Sequence, residues 1–191
     1  MPKIIEQVRE RTISQARELL IREGYSAMTI RRIAAVLGIA PATIYNYFPS
    51  KENLTACVML EDWNRRMGGF ESDRGPSGPR DTVRALFSAV QSFTRTYVSS
   101  WTEYGPDDRT ADLRRHYHPV LVDQLGGLIL RALPDGQAAA EPWLAPFLAD
   151  MILHFGSDGV TRYEEIEPAV AKLLRQRSDP ANPDIPAQNA L

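Results

Sequence analysis

A chain of 191 residues with one cysteine and a net charge of −2 is long enough to bury roughly 70% of its unfolded surface, so its core needs neither disulfide nor structural metal. The lone Cys57 has no intramolecular partner, which fits a reducing compartment. No stretch has the length of a membrane span, and the opening MPKIIEQVRERTISQ breaks its apolar residues with charges, unlike a signal peptide. The expected location is therefore cytoplasmic, with no membrane partner.

The charge is unevenly placed. Through Lys51 eight basic residues stand against four acidic ones, a surplus of +4, which leaves −6 on the rest of the chain. A basic head on an acidic body points to an anionic partner for the head alone.

In chain order, Ile5, Val8, Thr12, Ile13, Ala16, Leu19 and Leu20 recur at three and four, predicting a long first helix that Gly24 ends. Thr29 precedes Ile30, Ile33, Ala34 and Leu37, and Gly38 closes that pattern, so a second helix of about two turns has Thr29 as its N-cap. Pro41 opens a third helix running to about Phe48, with Ile44 and Phe48 inward. After Pro49, Ser50 and Lys51 begin a fourth through Leu54, Val58, Trp63 and Met67.

The stretch Gly68 to Arg80 reads as a loop or hinge. Val83 to Trp101 predicts a long helix with an aromatic face, stopped at Gly105-Pro106. A short helix at Thr110 to Tyr117 and another at Pro119 to Leu133 follow. Pro142 opens a helix through Phe155 that crosses Gly156 and Gly159 towards Tyr163, and Pro168 to Arg177 forms the last. The proline-rich residues after 178 predict a disordered tail. No segment alternates at period two, so the fold class is all-α, with about nine helices.

Two short helices across a glycine turn, braced by a longer first helix, are the parts of a helix-turn-helix unit, whose second short helix enters the DNA major groove. That role accounts for a third helix poor in core residues. Ile44 and Phe48 hold it down, while Thr43, Tyr45, Asn46 and Tyr47 fall on the remaining faces, where hydroxyls and an amide can meet phosphates or base edges. The run TIRRIAAVLGIAPATIYNYFPSKENL, Thr29 to Leu54, resembles the signature of TetR-type transcriptional regulators nearly position for position; the likeness covers roughly residues 5 to 54.

The resemblance implies a DNA-binding domain over 1–50, an effector-binding and dimerisation domain over 51–178, and a homodimer on a near-palindromic double-stranded operator. It implies a repressor released by a small-molecule effector, with neither enzymatic activity nor cofactor. Carried over, it puts Thr29, Tyr47 and Lys51 on phosphates, and Arg31, Pro41, Ala42, Thr43, Tyr45 and Asn46 near bases or the groove wall. Lys51 also sits at a helix N-terminus, which favours an anion, and the Arg31 guanidinium can bond both acceptors of a guanine. Two residues depart from the family pattern: Ala40 stands where serine is common and cannot cap the third helix, and Ala42 replaces a common glycine.

In the body, Phe93, Tyr97, Trp101, Tyr117, Phe147 and Met151 are the expected lining of the effector pocket, and Ile152, Phe155, Gly156, Gly159 and Leu173 the expected dimer contacts. The two glycines carry the second expectation, because inside a helix each costs roughly 1 kcal/mol and implies close approach of another helix. The aromatic face also reads as plain core. His116 and His118 lie two apart and so on different sides of a helix, which is poor geometry for a shared metal. No phosphate loop, nucleophile elbow or ordered carboxylate pair is present. The competing reading is an all-α small-molecule-binding or interaction protein without DNA readout.

Overall fold

The computed structural model describes residues 2–71, 76–103 and 108–175, with side chains over 7–71, 76–97 and 117–174. The disordered-tail expectation and the Trp101 and His116 side chains lie outside these residues. All regular structure among the described residues is helical: α1 Pro2–Ala27, α2 Ile30–Leu37, α3 Pro41–Tyr45, α4 Lys51–Gly68, α5 Pro79–Glu103, α6 Asp108–Ala132, α7 Asp135–Ala140, α8 Leu144–Ser157 and α9 Tyr163–Arg175.

The chain forms two compact units. One comprises residues 1–73 and 91–118, the other 74–90 and 119–191, so α5 and α6 each contribute to both. In the first unit α1 packs against α2, α3 and α4, and α2 against α3. Ile13, Leu20, Ile33, Ile44, Phe48 and Leu54 make its sealed centre. The second unit buries Leu86 and Phe87 of α5 with Leu125 and Ile129 of α6, Leu148 and Ile152 of α8, and Val170 of α9.

Four expectations about elements need correction. The sequence reading splits α6 at Pro119, yet the helix runs through it. A proline forfeits one helical bond, and the burial of Leu125, Leu128 and Ile129 further along offsets it. α7, built on Pro134 and Asp135, is not anticipated at all. α8 stops at Ser157 instead of crossing Gly159, which sits beyond it at φ 75°, a left-handed conformation that ends a helix. Asp158 completes that turn by accepting from the backbone N–H groups of Val160 and Thr161 at 2.8 and 2.9 Å. α9 then begins five residues earlier than predicted, at Tyr163, because Glu165 reaches back to accept from the Arg162 N–H at 3.2 Å, half of a capping box. Pro168 lies inside α9 and does not open it.

The same geometry revises the glycine argument. Gly159 is not helical, and a side chain there would meet open space. Gly156 is helical and tightly approached, but by its own chain: a Cβ would lie 2.9 Å from Val90 Cγ1 and 3.1 Å from Val90 Cβ. The close contact implied by a glycine within a helix is therefore α8 on α5. Ile152, fully buried on the same side, belongs to this inner packing as well.

Candidate nucleic-acid interface

The head is built by three caps and a break. Gly24 adopts φ 84° and ψ 175°, interrupting α1 and turning its last residues away from the helical path. The Thr29 hydroxyl oxygen accepts from the Arg32 N–H at 3.2 Å and starts α2. Its own proton is still available to a phosphate, since a hydroxyl donates once while accepting. Gly38, at φ 68°, ends α2, and the Ile39 N–H closes onto Ala34 O at 3.0 Å. α3 starts on Pro41 with no side-chain cap from Ala40, as the residue type dictates. Past Tyr45 the turn continues through Phe48, whose N–H reaches Ile44 O at 2.9 Å, which explains the longer helix read from sequence.

This frame sorts the expected site residues. Ile44 and Phe48 are sealed against the head, whereas Pro41, Ala42, Tyr45 and Asn46 are exposed and Thr43 and Tyr47 half-buried. Arg31 is exposed on α2. Arg32, its neighbour, is occupied: both arms reach Glu23 at 2.7 Å, tying α2 to the end of α1 and holding the Glu23 carboxyl below its ordinary range. Ser50 caps α4 by accepting from the Asn53 N–H at 3.1 Å, which sets Lys51 on the first turn.

Lys51 is not a loose surface cation. Its ammonium sits 3.7 Å from the centroid of the Tyr25 ring, and the Tyr25 hydroxyl donates to Glu52 Oε1 at 3.0 Å. Tyr25 thereby backs the lysine and holds the adjacent acid, a role that sequence reasoning misses because it depends on the break at Gly24. Replacing Tyr25 with Leu should weaken DNA binding about two- to fivefold, the worth of an exposed cation–π contact. In a Lys51→Ala background the same change should cost nothing further, and an equal loss in both backgrounds, read by fluorescence anisotropy, would defeat the assignment.

The body residues fall differently. Phe93 and Tyr97, in the first unit, are buried; Tyr97 donates to Asp62, and its ring lies 5.0 Å from that of Phe93. Tyr117 is half-buried. Phe147, in the second unit, is 51% exposed and meets Trp143 edge-on at 6.0 Å, so it lies on the outside of α8 and does not line an enclosed cavity within that unit. Trp143, Phe147, Met151 and Phe155, spaced by four, form an exposed to half-exposed outer stripe, opposite the inner stripe of Leu148, Ile152 and Gly156. Leu173 is half-exposed on α9.

A further cluster was legible only in part. Asp62 falls on the inward stripe of Leu54 and Val58, and a charge there is the available signal for the buried contacts it makes with Arg17, Arg65 and Tyr97. Burial, then the bond to Asp62, pushes the Tyr97 hydroxyl well above its ordinary pKa. Burial also raises the Cys57 thiol.

Comparison with known proteins agrees with this geometry. Residues 13–56 match the family described as bacterial regulatory proteins, tetR family. The HTH-type transcriptional regulator UidR of Escherichia coli K12 is 31% identical over 65 residues, 34% of this chain and 33% of that protein. The HTH-type transcriptional regulator BetI of Rhizobium meliloti is 29% identical over 122 residues, 60% of each chain. The chain thus spans about a third of the length of the first curated relatives it matches. A solved structure of a Pseudomonas aeruginosa PAO1 protein, named as a transcriptional regulator, covers 87% of this chain and 88% of its own at a TM-score of 0.50 and 20% identity, a likeness of fold alone. The family match lies on α1 to α4 and all regular structure among the described residues is helical, so residues 13–56 of this chain are similar to the tetR family of bacterial regulatory proteins.

Proposed function

We propose that this protein is a homodimeric regulator of transcription that reads a near-palindromic operator through α3, represses from it, and leaves it when a small molecule binds the body. The observation that carries the reading is the division of α3: Ile44 and Phe48 spend its apolar side on the head, and Pro41, Ala42, Tyr45 and Asn46 are left outward. Lys51, backed by Tyr25, supplies a fixed cation nearby for a phosphate. Arg31 remains the candidate for guanine readout, and Arg32, bound to Glu23, serves as a brace.

Dimerisation is assigned to the outer stripe of α8, from Trp143 to Phe155, together with Leu173. A solvent-facing row of large apolar residues is more readily explained by a partner than by water. Phe147 and Met151 move by this reasoning from the pocket to the interface. The effector site is left to Phe93 and Trp101 of α5 and to Tyr117.

The test is selection of binding fragments from random DNA, followed by affinity measurements across salt concentrations. DNA binding must weaken steeply with salt, whereas an interaction protein without DNA readout selects no site. On the selected site Thr43→Ala and Tyr47→Phe should bind more weakly with unchanged folding, and Arg31→Ala should also relax preference at one base pair by about 1–3 kcal/mol. Unchanged affinity in all three would remove the reading face from α3.

A further inference from the structure

Asp62 is 7% exposed, and its carboxylate is held by residues of three helices. Oδ1 accepts from Arg17 Nε at 2.6 Å and from Arg65 Nη1 at 3.0 Å, while Oδ2 accepts from the Tyr97 hydroxyl. Arg17 belongs to α1, Asp62 and Arg65 to α4, and Tyr97 to the second half of α5, all within the first compact unit. The other arm of Arg17 reaches Glu61 at 3.3 Å, and Arg9 meets the same carboxylate at 3.4 Å. A second tie joins α4 to α5: Arg66 donates to Ser92 Oγ at 3.1 Å and to Thr96 Oγ1 at 3.2 Å. Around them Trp63 meets Phe93 edge-on at 5.4 Å, so the polar contacts are set in an aromatic wall.

Apolar packing alone would hold these helices together but would tolerate small rotations. A buried carboxylate with directional partners does not, because each rotation leaves a charge or a donor unmatched. Its partners also span the right elements. α1 carries α2 and α3 on its surface, so whatever fixes α1 against α4 and α5 fixes the reading helix too. α5 is one continuous helix, and its residues 79–90 belong to the second unit. The Tyr97 hydroxyl is thus the buried point at which α5 registers against the head, beside the more exposed tie from Arg66.

We infer that the Arg17–Asp62–Tyr97 chain is a positioning device that sets the angle of α1, and of the α2 and α3 it carries, against α4 and the second half of α5 within the first unit, and with it the half-site spacing the dimer accepts. Tyr97 is its positioning residue, touching no DNA itself. This rests on the dimeric DNA-reading function proposed above. It gives Tyr97 a different task from lining a pocket: a displacement of α5 would be felt at Asp62 before it reached α3. In a two-half-site complex the helices must match grooves about one turn apart, roughly 34–36 Å, so a small change of head angle alters which spacing fits.

The experiment compares the parent with Tyr97→Phe, which keeps the ring and removes the hydroxyl, and with Asp62→Asn. Three affinities are measured for each: the selected operator, operators with one base pair added to or removed from the spacer, and an isolated half-site. For Tyr97→Phe we expect half-site affinity within about twofold of the parent, loss of about three- to tenfold on the selected operator, the scale of one hydrogen bond, and a weaker discrimination among spacings. Loss by one factor on every DNA, half-site included, makes the hydroxyl merely structural and overturns the inference, as does an unchanged spacing preference.

A measurement without DNA separates this from failure of the regulator reading. Spin labels at Val36→Cys and Arg95→Cys, both exposed positions of the first unit, are placed in a Cys57→Ser background, and labelled chains are diluted with unlabelled protein. The label-to-label distance should be narrow in the parent and broadened or shifted in Tyr97→Phe. An unaltered distribution overturns the positioning role whatever the DNA shows. A parent that selects no two-half operator counts against the proposed function, while the distance still decides the role of Tyr97.

Discussion

Phe48→Ala is expected to lower the stability of the first unit by about 3–5 kcal/mol and to take DNA binding below measurable affinity, whereas Tyr45→Ala should leave stability within about 0.5 kcal/mol of the parent. Both are aromatic residues of one short segment, three positions apart. Phe48 is 1% exposed and sits under the Arg9 guanidinium at 5.9 Å, while Tyr45 is 51% exposed. A five-residue helix cannot sustain itself, since nucleation is unfavourable at that length, so α3 exists because the head holds its buried side. Without Phe48 the outward residues lose the frame that aims them. Urea unfolding followed by circular dichroism gives the two stabilities. Similar midpoints for the two variants would show that α3 is not anchored as its burial pattern indicates.

That contrast was legible in the sequence, and the reason is local. Caps, glycine stops and a period near four are properties of neighbouring residues, so Thr29, Gly38, Pro41 and Ser50 announce α2, α3 and α4 within a residue or two. The match to the family signature lies on the same segment. What escaped were relations between residues far apart in the chain. Nothing near Asp62 in sequence names Arg17 or Tyr97 as its partners, and Tyr25 gains its place over Lys51 only after Gly24 breaks α1. Proline misled twice, at Pro119 and Pro168, because a proline removes one hydrogen bond and packing elsewhere can offset that loss. The glycines of α8 misled in another way: a need for space was read correctly at Gly156, but periodicity could not say which helix fills it.

The two stripes of α8 should therefore respond in opposite ways. Gly156→Leu should destabilise the second unit by about 1–3 kcal/mol, because even its Cβ would come 2.9 Å from Val90 Cγ1, on a branched stem that cannot swing aside. Phe147→Glu should leave the isolated chain about as stable as the parent, since the ring it replaces is half in water. In the proposed dimer, however, that glutamate would be an unpaired charge pressed into an apolar contact, which is costly enough to dissociate the pair. Gly159→Leu, at φ 75° and with open space around it, should carry only a backbone strain of about 1–2 kcal/mol and leave association unchanged. Sedimentation across protein concentration, paired with urea unfolding, separates the three. If Phe147→Glu sediments as the parent does, the outer stripe is not the interface. If Gly156→Leu keeps the parent's stability, α8 and α5 are not in the contact that excludes a side chain. Because one variant acts on association and the other on folding, a mixed result still locates which face of α8 has been misassigned.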